Sequence, residues 1–265
     1  MGHFVQKTTR QPKIIIDPRE ANWMGASPIS SDVRKAIDRT FSTIGLLREF
    51  DTNRIQGVVE TLVNPSSRDR CFTGTYYRVG SNISSLISLN RFKDAQAIAM
   101  ISRGLYELAV DINLIDHIDQ GPEKLMAYCE VEKLRVARKI VDFVTNYPDS
   151  ALGVNAAVHI DFIAQKGADI DDLENRIWPS ANRGRRTPGQ LKHWSGLNLS
   201  QRAAQLKQPF DRIYQVIYPQ LSWYAHAGLT GTPNLRSEGY EVLSGYASTV
   251  ASCSYELVLG MPGRS

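Results

Sequence analysis

The stretch RFKDAQAIAMISRGLYELAVDINLIDHI, residues 91–118, decides the fold. Placed 100° apart on a helix, Ile98, Ile101, Leu105, Leu108, Ile112 and Ile115 make one broad apolar face. The opposite side should be polar, yet Met100, Val110 and Leu114 stand on it. A helix that is apolar nearly all round is enclosed by others, so this segment is expected at the centre of a helical bundle. One stripe breaks the pattern: Arg103, Glu107 and Asp111, each four residues from the next. Two acids at that spacing repel unless donors face them. Arg103 can answer one of them.

Working outward, helical spacing recurs on both sides. Val33, Ile37, Phe41 and Ile44 form a periodic run after Ser31, and Ile55, Val59 and Leu62 form a second that stops before Pro65. SRDRCFTGTYYRVGS (67–81) is punctuated by glycine and is left without an element, with a helix opening at 81–90. Helices are expected over 123–146 and 153–166, after which QKGADIDD breaks and restarts the chain. Residues 179–198 form a loop rich in Pro, Gly and Arg. A short helix over 200–207, capped by Ser200, precedes a longer one over 209–227 and a last one over 238–259. Strand-like alternation is nearly absent. The expected fold is all-α, a single helical domain of six to nine helices over 31–265. Residues 1–30, with Pro12, Pro18, Pro28 and the run KIII, read as an irregular arm.

Composition narrows the function classes. With 42% hydrophobic and 22% charged residues in 265, the chain is an ordinary globular protein. A net charge of +4 permits an acidic partner such as RNA without requiring one. Cys71, Cys129 and Cys253 are scattered, which suggests reduced thiols rather than a disulfide frame. No secretory leader opens the sequence, and no apolar run nears the roughly 18 residues that span a bilayer. A cytoplasmic protein with no membrane association is expected.

The polar motifs concentrate in three places. Tyr214, Tyr218, Ser222 and His226 recur every four residues in the 209–227 helix. Pro219 lacks an amide proton and must kink or restart that helix; Gly228 is placed to end it. Ser222 and His226 make no hydrolase pair, because the strained G-x-S-x-G turn that presents a nucleophile is missing. His226 in the last turn suits proton transfer, or equally the satisfaction of final carbonyls. In the 179–198 loop, Arg183, Arg185, Arg186, Lys192 and His193 gather beside Trp194. Cations next to an aromatic offer a single-stranded nucleic acid phosphate contacts and a stacking plane; a solvated loop anchored by its tryptophan is the plainer alternative. The acids and histidines at Asp111, Asp116, His117, Asp119, His159 and Asp161 share no metal-ligand spacing, and nucleotide-binding glycine loops are missing. No metal and no cofactor are expected.

In their order along the chain, R-x-x-x-E (Arg103, Glu107), W-S-G (Trp194, Ser195, Gly196) and Y-x-x-x-Y-x-x-x-S-x-x-x-H (Tyr214 to His226) resemble a family of helical bacterial proteins known only as a domain of unknown function. The resemblance covers roughly residues 80–260. The chain is also faintly similar to the HEPN superfamily of helical RNA-binding and RNA-cleaving proteins, many of them toxins or phage-defence effectors. That superfamily's signature is an arginine followed a turn or two later by a histidine. Here the run from Arg186 to His193 is interrupted by Pro188 and Gly189. Two roles for the polar set stand level. In one, the protein binds or cleaves RNA without metal, with Arg103, Glu107 and His226 catalytic, and Asp111, Trp194, Tyr218, Ser222, Arg183, Arg185 and Arg186 binding. In the other, the Arg/Glu/His set is a buried structural network in a non-enzymatic module that engages a protein partner or a second copy.

Overall fold

The computed structural model describes residues 31–50, 55–90, 95–148, 155–179 and 193–225. Every regular element among them is helical: α1 (Ser31–Phe50), α2 (Gln56–Glu60), α3 (Ser67–Asn90), α4 (Ala95–Leu114), α5 (Gly121–Asn146), α6 (Ala157–Ile177), α7 (Leu199–Leu206), α8 (Phe210–Val216) and α9 (Tyr218–Ala225). The all-α bundle is as the sequence implies. The 1–30 arm and the 238–259 helix lie outside the described residues.

α4 is the hub, packed against α3, α7 and α9. Leu105, Tyr106, Ala109, Val110 and Leu114 have no exposed surface, and Ile98 and Ile112 have almost none. The wall is not closed all round: Met100 is 47% exposed, and Ile101 and Leu108 are half-buried. Two polar groups in this core find main-chain acceptors. Ser102 Oγ donates to the Ile98 carbonyl at 2.8 Å, and Tyr106 OH donates to the Phe210 carbonyl at 2.8 Å. A second apolar cluster (Ala127, Val131, Leu134, Ile170, Trp178) joins α5 to α6 as a hairpin.

Two sequence expectations need correction. Residues 67–81, unassigned from the sequence, are the first half of the continuous helix α3. Cys71, Phe72, Tyr76, Val79, Ile83 and Leu86 recur on one face and bury it, and that packing outweighs the helix-weakening glycines. Likewise QKGADIDD does not break the chain; α6 runs through it, because Gly167, Ile170, Leu173 and Ile177 keep facing α5. α7 is capped by Asn198 rather than Ser200: the Asn198 side chain accepts from the Gln201 amide while Gln201 reaches back, a reciprocal capping box. Pro219 does restart the 209–227 helix, as α8 and α9.

One glycine is indispensable. At Gly121, where α4 turns into α5, a Cβ would sit 1.9 Å from the Ile115 carbonyl oxygen. Gly74 is the opposite case, exposed in the interior of α3 with nothing within 4 Å of an added Cβ. Gly74→Ala should therefore stabilise the protein by about 0.5–1 kcal/mol, read as a raised midpoint in thermal or denaturant unfolding. A loss of stability would mean that α3 is not a continuous helix there.

Candidate functional site

The polar stripe of α4 is bound across its length by side chains from the segment 193–225. At its N-terminal end, Arg103 Nε donates to Glu107 Oε1 at 2.9 Å. Tyr218 OH, from the first turn of α9, donates to the same oxygen at 2.7 Å. The Arg103 guanidinium lies 5.2 Å from the centre of the Tyr218 ring, within cation–π range. Tyr214 stacks on the Tyr218 ring at 5.3 Å, and the buried Tyr106 ring stands 5.5 Å from it. Burial and then the hydrogen bond and charge of Glu107 push the Tyr218 hydroxyl up to about 12. Burial opposes the charge on Arg103, but the bonds and charges of Glu107 and Tyr218 outweigh it and raise its pKa.

One turn further, Asp111 holds a second set of donors. Arg202 Nη1 from α7 bonds Asp111 Oδ1, and His193 Nε2 lies 3.2 Å from Asp111 Oδ2. The histidine is fixed from behind. The Ser195 amide donates to its Nδ1 at 3.3 Å, and Ser195 Oγ is 2.9 Å from the same nitrogen. A main-chain N–H can only donate, so Nδ1 is the unprotonated acceptor and Nε2–H donates to Asp111. Ser195 Oγ in turn accepts from the Leu197 amide at 3.2 Å. Gly196, at φ +72°, closes this turn in the left-handed region that glycine tolerates. The Arg202 side chain is only 9% exposed, so Asp111 is the counter-charge of a guanidinium removed from water.

These contacts show where the sequence-derived candidates fall. Arg103, Glu107 and Tyr218 meet in one cluster, and Asp111 anchors a neighbouring one. Ser222, partly buried, lies one turn beyond Tyr218 on α9. Trp194 does not serve as a stacking plane: it is 1% exposed, packed in the α4 core, with its carbonyl accepting from Trp178 Nε1 at 3.1 Å. His226, Arg183, Arg185 and Arg186 lie outside the described residues. Sequence reasoning missed Arg202 and the pairing of His193 with Asp111. The one available signal was a lone arginine beside Ala203 on a short amphipathic helix. Among the described residues no three His, Cys, Asp or Glu side chains converge as a metal ion would need, and no helix is long and apolar enough to cross a membrane.

The chain belongs to a family of unknown function, DUF5677, whose model matches residues 69–239. The matched span contains both clusters on α4. No curated protein and no solved structure matches the chain.

The Tyr218 geometry has a measurable consequence. Its ordinary hydroxyl pKa is 10.0 and its folded value about 12, as is that of Tyr128, which is raised by burial and by Glu132. The folded state holds those protons more tightly, so their contribution to stability is whole below pH 10 and is lost as pH climbs through about 12. An alkaline titration followed by tyrosinate absorbance should place Tyr218 and Tyr128 among the late tyrosines, and Tyr218→Phe should remove one from the late group. An unchanged late fraction in that variant would contradict the Tyr218–Glu107 bond.

Proposed function

We propose that this chain is a non-enzymatic interaction module whose polar network is structural, clamping the α7–α9 segment onto α4. One observation carries this. Both Asp111 oxygens and both His193 nitrogens are engaged within the protein, so the histidine has no nitrogen left to take a substrate's proton. Large apolar side chains meanwhile stand in water on Leu46, Val58, Leu62 and Val63 of the α1–α2 end, where a protein partner or a second copy would cover them.

A second reading, an RNA-directed protein, has its own observation in favour. Glu107 is 39% exposed and Arg103 25%, so this half of the stripe reaches water beside the Tyr214–Tyr218 stack. There Arg103 would stabilise the charge of a phosphorane, His226, the residue after α9, would exchange a proton at a ribose hydroxyl, and Glu107 would orient one of those two side chains. Arg183, Arg185, Arg186, Tyr218 and Ser222 would then hold the strand, while Asp111, its oxygens occupied by Arg202 and His193, would act only by fixing α7.

The two separate on substitution. In the structural reading, Asp111→Ala leaves the Arg202 charge buried and unpaired and costs about 3 kcal/mol. Glu107→Ala, at a wetter position, costs about 1 kcal/mol. In that reading the native protein should neither cleave nor bind single-stranded RNA. If instead the native protein cleaves RNA, and Glu107→Ala and His226→Ala abolish cleavage while the unfolding midpoint holds, the module reading is wrong.

A further inference from the structure

We propose that the chain pairs with a second copy of itself through two charged helix rows: Arg70 and Arg78 of α3 in one copy against Asp161 and Asp169 of α6 in the other. The inference rests on the interaction-module reading and names one partner for it. It uses neither the α4 network nor the α1–α2 end.

The solvent face of α3 has an unusual charge. Arg70, Gly74, Tyr77, Arg78, Ser81 and Ser85 are all exposed, and at 100° per residue they fall within an arc of about 100°. That arc carries two cations and no acid. Asp69, the one acid of α3, is turned about 100° from Arg70 and is bonded to Ser66. Neither arginine enters an ion pair among the described residues. On α6 the sign is reversed. Asp171 and Glu174 are taken by Arg138 and Arg135, whereas Asp161 and Asp169 are exposed and unpaired among the described residues. The cations of α6 stand apart from that pair: Lys166 is turned about 100° from Gln165, and Arg176 follows Asp169 by about two turns.

The two rows match in spacing and shape as well as charge. Arg70–Gly74–Arg78 and Asp161–Gln165–Asp169 each step by four residues, with the charged groups about 12 Å apart along the helix axis. Two such i±4 rows run parallel when their helices cross at about −50°, the commonest helix packing. At the middle of the basic row a Cβ added to Gly74 would meet nothing within 4 Å, which leaves a notch. At the middle of the acidic row stands Gln165, an exposed side chain able to enter it. Each row is also bordered by surface that contact would shield from water. Tyr77 is 57% exposed, and Val158, on the rim of an open apolar groove between α5 and α6, is 68% exposed. Complementary charge at matched spacing favours this partner over others. Exposed ion pairs are individually weak, so the association is weak and sensitive to salt.

Sedimentation velocity of the full chain, from about 1 μM to 1 mM, should show association that rises with concentration and falls with added salt. Arg70→Ala alone should weaken it by about two- to fivefold, the worth of one exposed ion pair. The double variant Arg70→Glu, Arg78→Glu should abolish it, and so should Asp161→Lys, Asp169→Lys. Both should keep the thermal midpoint of the dilute protein, because all four side chains stand in water. Mixed in equal amounts, the two double variants should associate again, since every row then faces one of opposite charge. A chain that stays monomeric, an association indifferent to salt and to both double variants, or a loss not recovered on mixing overturns the proposal. If the chain stays monomeric and Arg70→Glu, Arg78→Glu instead loses affinity for single-stranded RNA, the α3 face belongs to a nucleic acid and the pairing is wrong. Monomeric behaviour alone overturns the pairing and not the module reading, which RNA cleavage by the native chain would overturn.

Discussion

The contact between Asp111 and Arg202 is the constraint on which the arrangement around α4 depends. A guanidinium at 9% exposure cannot remain without a counter-charge, so α7 is fixed at the one place where Asp111 can reach it. The connections from α7 through α8 to α9 are short. Fixing α7 therefore limits where α9 can lie, and α9 brings the Tyr218 hydroxyl to Glu107. The two acids, four residues apart on α4, would repel if left facing water or each other. Each instead has its own donors, so a local liability becomes two separate anchors.

Apolar packing alone would not give this precision. The hydrophobic faces of α4 and α9 attract without direction, and a sliding α9 could bury similar area in a neighbouring register. Directional bonds to fixed oxygens discriminate between those registers, a role for buried polar groups that the handful of bonds here fits well. The clamp is not fully satisfied. Among the described residues, Arg202 Nε and Trp194 Nε1 are buried without a hydrogen-bond partner, each a cost that the packing around them must offset.

What the sequence discloses follows from the range of the interactions involved. The centrality of α4 was legible because its composition is local and periodic, and the restart at Pro219 because a missing amide proton acts at one position. The misreadings at α3 and α6 share one cause. Glycines and acids were weighed by propensity, whereas the buried faces Phe72–Val79–Ile83 and Ile170–Leu173–Ile177 were decided by neighbouring helices not yet placed. The site divides the same way. Arg103 with Glu107 is an i,i+4 pair that spacing reveals; Asp111 with Arg202 spans 91 positions and could not be seen before α7 was docked. Trp194 was ambiguous for the same reason, since a tryptophan among cations reads alike whether it faces a nucleobase or a core.

Tyr128 ties the two halves of the molecule together. Its ring lines the α5–α6 groove, lies 6.1 Å from the His193 ring, and sits under the Arg135 guanidinium at 5.9 Å. His193 in turn holds Asp111. One aromatic side chain is thus a wall of the groove and a neighbour of the group that orients the α4 clamp. The Tyr128 ring and the Asp111–His193 pair are therefore packed as neighbours, and residues this close do not act independently: a substitution at Tyr128 would be felt at the groove wall and at the clamp together.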